Sequence, residues 1–154
     1  MANYTQGLYA PKNPNKYVGD VSKIRYMSSW ELELHKFFDN NPNILRWSSE
    51  NIAIPYLKPT DNRIHKYYPD YWIEYRNKDG IIVREIIECK PKTQTRQPRK
   101  QRGTGKASLY ETVQFAVNAA KWAAAIEWCK QRGITFRIVT ERSIFKYSPQ
   151  KSGV

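Results

Sequence analysis

Asp70, Glu88 and Lys90 are the residues of this 154-residue chain whose types and spacing fit one chemical task. Residues i and i+2 of a strand share a face, so Glu88 and Lys90 project together at the end of the run Ile81–Lys90. Asp70 opens the preceding run, Tyr67–Tyr75. Counting back from the turn Asn77-Lys78-Asp79-Gly80 sets Asp70 level with Glu88. Two carboxylates and an ammonium then meet at one end of a sheet. Glu88 follows two isoleucines in a strand suited to burial, and a buried charge needs a partner. A divalent cation would satisfy both carboxylates, and Mg²⁺ takes one or two protein carboxylates plus water and phosphate oxygens. Such a cation polarises a phosphoryl group and acidifies the attacking water. Lys90 would orient that water or stabilise developing negative charge. The chemistry is phosphodiester hydrolysis. From spacing alone, a structural ion-pair cluster of the same three residues fits equally well.

The flanking sequence supplies elements to hold these groups. Trp30, Leu34 and Phe37 fall on one helical face; Ser28 with Glu31 forms a capping box, and Asn40-Asn41-Pro42 stops the helix. Ile44–Trp47 and Asn51–Leu57 read as strands, with Lys58–Lys66 a polar loop. The runs on either side of Asn77–Gly80, rich in strand-favouring residues, read as a hairpin. Pro91 ends the second of them. Residues 91–106 lack apolar side chains and form a long loop, a length usually reserved for function or disorder. Ser108 with Glu111 caps a second helix running to about Arg132, stopped by Gly133, and Ile134–Val139 is the last strand. Trp122, Ile126 and Cys129 read as the core stripe of that helix. The order αβββαβ predicts an α/β fold: a mixed sheet flanked by helices, with a right-handed crossover into the last strand. The expected division is an N-terminal arm over 1–27, packed through Tyr4, Tyr9 and Tyr17, a core over 28–140, and a tail over 141–154.

Charge is unevenly spread. The chain carries +12, yet residues 28–90 hold nine basic and ten acidic residues, while residues 91–106 hold six basic residues and no acid. That pattern points to a polyanion bound by the loop, through Lys92, Arg96, Arg99, Lys100, Arg102 and Lys106. There is no apolar run of membrane-spanning length and no signal-peptide core, so no membrane partner is expected. Cys89 and Cys129 make neither a disulfide framework nor a zinc set, which fits a reducing, intracellular setting.

Pro69-Asp70 followed by Glu88-Cys89-Lys90 resembles the PD-(D/E)xK nuclease motif. Ser29-Trp30-Glu31, Asn41-Pro42, Ile54-Pro55-Tyr56, Tyr68-Pro69-Asp70-Tyr71 and Ile87–Lys90 resemble the TnsA-like endonucleases. They resemble still more closely the head-completion nucleases of T-even-type tailed phages, over nearly the whole chain, including the arm, the basic loop and Thr140-Glu141. The resemblance implies a restriction-endonuclease-like core and a metal-dependent endonuclease acting on double-stranded DNA. It implies Mg²⁺, with Mn²⁺ able to substitute, and action on phage heads after DNA packaging. Head or portal proteins would be partners, in the virion or the cytoplasm of the infected bacterial host. Junction-resolving or transposon-end cleavage, and an inactive DNA-binding virion protein, are the competing readings. Carried over by position, Asp70 and Glu88 are metal ligands and Lys90 the catalytic lysine.

The family often adds a glutamate from the first helix, and Glu31 stands there as a further ligand and catalytic residue. Glu31 is also the third residue of its helix cap, and both roles stay open, with Glu33 as the substitute. Cys89 is expected to pack as a small apolar residue. His35 is expected in the core or on the surface, His65 near phosphate, Glu50 on the surface. Gln114 could line the site, and Lys121 faces either the sheet or the DNA. Gly103-Thr104-Gly105-Lys106 lacks the strand and spacing of a nucleotide-binding loop.

Overall fold

Helix α1 (Ser29–Asn40) begins where Ser28 Oγ accepts the Glu31 N–H at 3.1 Å, and ends before Pro42 as the sequence predicts. A computed structural model of the chain describes residues 6–98 and 108–141. Within them run strands β1 (Gly7–Leu8) and β2 (Arg25–Tyr26), then α1, β3 (Ile44–Ser49), β4 (Ile54–Lys58), β5 (Arg63–Tyr67), β6 (Tyr71–Arg76), β7 (Ile82–Cys89), helix α2 (Leu109–Lys130) and β8 (Thr135–Val139). Short 3₁₀ turns over Pro14–Lys16 and Val21–Lys23 lie before β2, and a third over Lys92–Gln94 opens the segment after β7.

The principal sheet has the order β3-β6-β7-β8. β3–β6 and β6–β7 are antiparallel, while β7–β8 is parallel across α2. This is the mixed sheet with flanking helices that the element order predicts. The β6–β7 turn closes through Gly80 at φ +78°, a conformation glycine adopts without Cβ strain.

The stretch after Lys58 departs from expectation. Residues 63–67 form a strand instead of continuing the polar loop, and pair with β4 as a separate hairpin between β3 and β6. Only Tyr67 on β5 is buried, whereas Ile64 is 68% exposed. The apolar alternation that marks a half-buried strand is therefore nearly erased here, and backbone pairing with β4 decides the structure.

The sheet separates two cores, because alternate residues of each strand face opposite ways. Leu34 and Phe38 of α1 pack with Trp47, Tyr71, Ile73, Ile87 and Val139. Ile24, from the segment before α1, is 1% exposed in that same core, and burial of such a side chain contributes about 1.5–3 kcal/mol. Tyr9 and Tyr17 pack against it as predicted; Tyr4 lies outside the described residues. On the other side, Val117 and Ala125 of α2 pack with Ile54, Tyr56 and Tyr67 of the hairpin. The predicted α2 stripe is corrected in one member: Ile126 is 56% exposed, and Ala125, Trp128 and Cys129 face inward. The inward face of α2 also carries the polar Asn118 and Lys121, which no purely apolar stripe would include.

Candidate active site

β6 and β7 bring the predicted acids together. Tyr71 stands opposite Ile87, so Asp70 and Glu88 follow as the next pair at the open end of the ladder. Asp70 is held from both sides: its carbonyl accepts the Glu50 N–H at 3.0 Å, and its Oδ2 accepts the Cys89 N–H at 2.7 Å. Its Oδ1 accepts no hydrogen bond among the described residues. Glu88 is 5% exposed. Its Oε1 accepts the Tyr67 hydroxyl at 2.6 Å, and its Oε2 lies 3.4 Å from Lys90 Nζ.

The electrostatics are lopsided. Burial pushes the Asp70 carboxyl up to about 7, and the Glu88 carboxylate adds to the rise. The Cys89 N–H and Lys90 oppose that shift without cancelling it. One lysine is too little positive charge for the acids gathered here. This is the condition a divalent cation corrects, and the donor set suits it: one carboxylate oxygen without a hydrogen bond among the described residues and one shared with a lysine. No cluster of three or more His, Cys, Asp or Glu side chains arranged as a metal site occurs among the described residues. Two carboxylates would leave the remaining positions of a hard divalent cation to water and substrate oxygens.

Glu31 stands apart from this pair. Leu34 and Phe38 of α1 lie against the Tyr71, Ile73 and Ile87 face of the sheet, whereas Glu88 and Lys90 project from the other face. Glu31 Oε2 accepts the Met27 N–H at 2.6 Å, so one oxygen closes the helix start. Burial raises the Glu31 carboxyl, Glu50 adds to it, and Glu31 in turn raises Asp70. It is an electrostatic neighbour of the site with one oxygen already used. Glu33 is exposed, beside Lys36 and Phe37.

Comparison with known proteins fits this geometry. The TnsA-like endonuclease N-terminal domain matches residues 41–141. The chain is also 38% identical over 139 residues to the head completion nuclease of Enterobacteria phage T4, covering 88% of this chain and 90% of that protein. The chain belongs to the TnsA-like endonuclease family. Its restriction-endonuclease-like α/β core accords with that membership. No solved structure matches it. The matched domain of this TnsA-like endonuclease contains Asp70, Glu88 and Lys90, and begins after Glu31.

The remaining predicted residues fall into two groups. Lys92 sits in the 3₁₀ turn, its N–H donating to both Glu141 carboxylate oxygens at 3.0 and 3.1 Å. Arg96 is exposed and lines a cleft of about 180 Å³ with Lys90, Tyr110, Gln114 and Asn118. Gln114 thus reaches the cleft that Lys90 enters. Arg99, Lys100, Arg102 and Lys106 lie outside the described residues. His35 is a core residue, bonded to the Tyr71 hydroxyl at 2.7 Å and the Arg25 carbonyl at 2.9 Å. His65 pairs with Asp61 at 2.7 Å. The Cys89 thiol is pushed up by burial and the nearby carboxylates, which suits packing rather than nucleophilic attack.

Sequence reasoning missed Tyr67. Its ring is buried in the α2 core and its hydroxyl orients Glu88. The only signal available was a tyrosine two residues before Pro69-Asp70, in a segment rich in tyrosines.

Proposed function

We propose that this endonuclease is a Mg²⁺-dependent endodeoxyribonuclease acting in phage head completion after DNA packaging. The observation that carries the chemistry is the surplus negative charge at Asp70, opposite Glu88 and beside Lys90. The similarity to a protein named head completion nuclease supports the biological setting. Asp70 Oδ1 and Glu88 Oε2 would hold the cation, with Glu31 adding negative charge nearby. The cation supplies polarisation of the phosphoryl oxygen and a more acidic attacking water. Lys90 orients the attacking water and holds the scissile phosphate as negative charge grows on it. Tyr67 keeps the Glu88 carboxylate in one rotamer by donating to Oε1. Lys92, Arg96, Arg99, Lys100, Arg102 and Lys106 contact the DNA backbone, a sequence-independent grip. Mn²⁺ substitutes for Mg²⁺. Residues 28–140 carry the catalysis, the arm before them braces α1, and head or portal proteins in the infected cell position the enzyme.

The test is plasmid cleavage with Mg²⁺ by the wild-type protein, Asp70→Asn and Lys90→Ala. Cleavage by the wild type alone supports the reading. Equal cleavage by all three refutes the site.

A further inference from the structure

Lys121 is a lysine where the fold asks for an apolar residue. It occupies the inward face of α2, between Val117 and Ala125, both buried. Its ammonium lies 5.8 Å from the Tyr56 ring centre and 5.6 Å from that of Tyr67, within cation–π range of both. No ion pair joins it to a carboxylate among the described residues. Stability alone would favour leucine or methionine here, since a half-buried ammonium without an anion is a cost.

The surroundings say what the charge is for. Tyr67 is the same tyrosine whose hydroxyl donates to Glu88 Oε1 at 2.6 Å, and Glu88 Oε2 is 3.4 Å from Lys90 Nζ. One aromatic ring therefore separates Lys121 from the carboxylate at the centre of the site. Lys90 and Lys58 both press on Lys121 by repulsion, Glu88 favours its charge, and burial lowers it most. Lysines from β4, α2 and the end of β7 thus crowd one region, and of the three only Lys90 forms an ion pair with an acid among the described residues. Such a group of cations is relieved by a bound polyanion.

We propose that Lys121 is a second lysine of the active site, gripping a nonbridging oxygen of a backbone phosphate next to the scissile one. This rests on the nuclease reading above. Lys90, tethered to Glu88, serves the bond that is cut. Lys121, resting on the tyrosine rings and in no ion pair among the described residues, holds the neighbouring phosphate and fixes the strand in line. The tyrosine faces keep its ammonium aimed while the site is empty. DNA then replaces their weak attraction with a charge-assisted hydrogen bond.

Lys121→Met keeps the length and the contact with both rings while removing the charge. With Mg²⁺ and a duplex whose cut position has been mapped using the wild type, its single-turnover rate should fall by about 10–100-fold. The slope of log(kcat/KM) against log[salt] should lose about 0.9, the signature of one lost phosphate contact. Lys121→Arg should recover most of the rate. Replacing a flanking phosphate by neutral methylphosphonate should slow the wild type but slow Lys121→Met no further, a comparison unaffected by a modest loss of stability. Wild-type rate and salt slope in Lys121→Met would overturn the proposal. So would equal slowing of both proteins by every single methylphosphonate. Asp70→Asn is the control: if it cuts as the wild type does, the nuclease site itself has been misplaced. If it is inactive while Lys121→Met is normal, only the role of Lys121 fails.

Discussion

The chain buries carboxylates in two ways. Asp39, at the end of α1, is fully buried, and burial alone would raise its carboxyl. Hydrogen bonds from the Tyr9 hydroxyl at 2.6 Å and the Lys12 and Asn13 N–H groups at 2.7 and 3.0 Å outweigh that and hold it below the usual range. Glu74, in the sheet, is gripped by Arg46 and Arg84 at 2.9 and 2.8 Å and is likewise held low. Asp70 receives one N–H and the opposing charge of Lys90, which is itself paired with Glu88, and rises to about 7. The same fold that fully compensates two acids leaves a third uncompensated. An acid left short of partners within a chain that supplies them elsewhere marks a place kept for a ligand.

Exchanging the two kinds of acid should separate chemistry from stability. Asp70→Asn should cut the Mg²⁺-dependent cleavage rate by about 10³-fold, measured in single turnover, with the folded chain as stable as before or more so. Asp39→Ala should do the reverse. It strands three donors and should cost about 3 kcal/mol in urea unfolding, with cleavage by the remaining folded protein near normal. Loss of stability in the first, or of chemistry alone in the second, would dissolve the contrast.

A subtler break lies in the positioning hydrogen bond. Tyr67→Phe removes the donor to Glu88 Oε1 while keeping the ring. It should weaken Mg²⁺ affinity or activity by about 10–100-fold, read as a rightward shift of the Mg²⁺ titration of cleavage. Glu31→Gln should have a smaller effect, about tenfold in rate. Glutamine keeps an amide oxygen that accepts the Met27 N–H, so stability should change by less than about 1 kcal/mol.

The acids should also respond to pH in opposite directions. Asp70 binds its proton more tightly in the folded chain, so its contribution to stability is complete below its ordinary value of 3.8 and is lost as pH rises through about 7. Asp39, held low, contributes above 3.8, and that contribution is lost as pH falls below it. Melting at pH 5 and pH 8 should therefore show a gain from Mg²⁺ only at the higher pH, by about 3 °C or more. Asp70→Asn should erase that gain.

Much of this was legible because local rules governed it. Ser28 and Ser108 mark both helix starts, and the Asn77–Gly80 turn fixes the register that sets Asp70 against Glu88. Other features were illegible because they depend on contacts between distant residues. β5 is a strand through pairing with β4, not through its own pattern. Asp39 is anchored largely by backbone N–H groups, which leave no mark in side-chain types. Tyr67 and Lys121 acquire their roles only when the hairpin and α2 fold over the end of β7. Ile126 was assigned inward because helical spacing alone does not fix the helix's rotation. The six basic residues of 91–106 were plain from charge, but charge does not specify which phosphate each one meets.

The bond from the Cys89 N–H to Asp70 has an evolutionary reading. Residue 89 lies between the two motif residues and serves the site through its main chain alone. Its side chain turns away, into the core beneath α1. Selection at this position should therefore be blind to chemistry and sensitive to shape. Alanine, valine or serine should be admitted freely. Proline, which has no N–H to offer Asp70, should be refused even though a proline already follows Lys90.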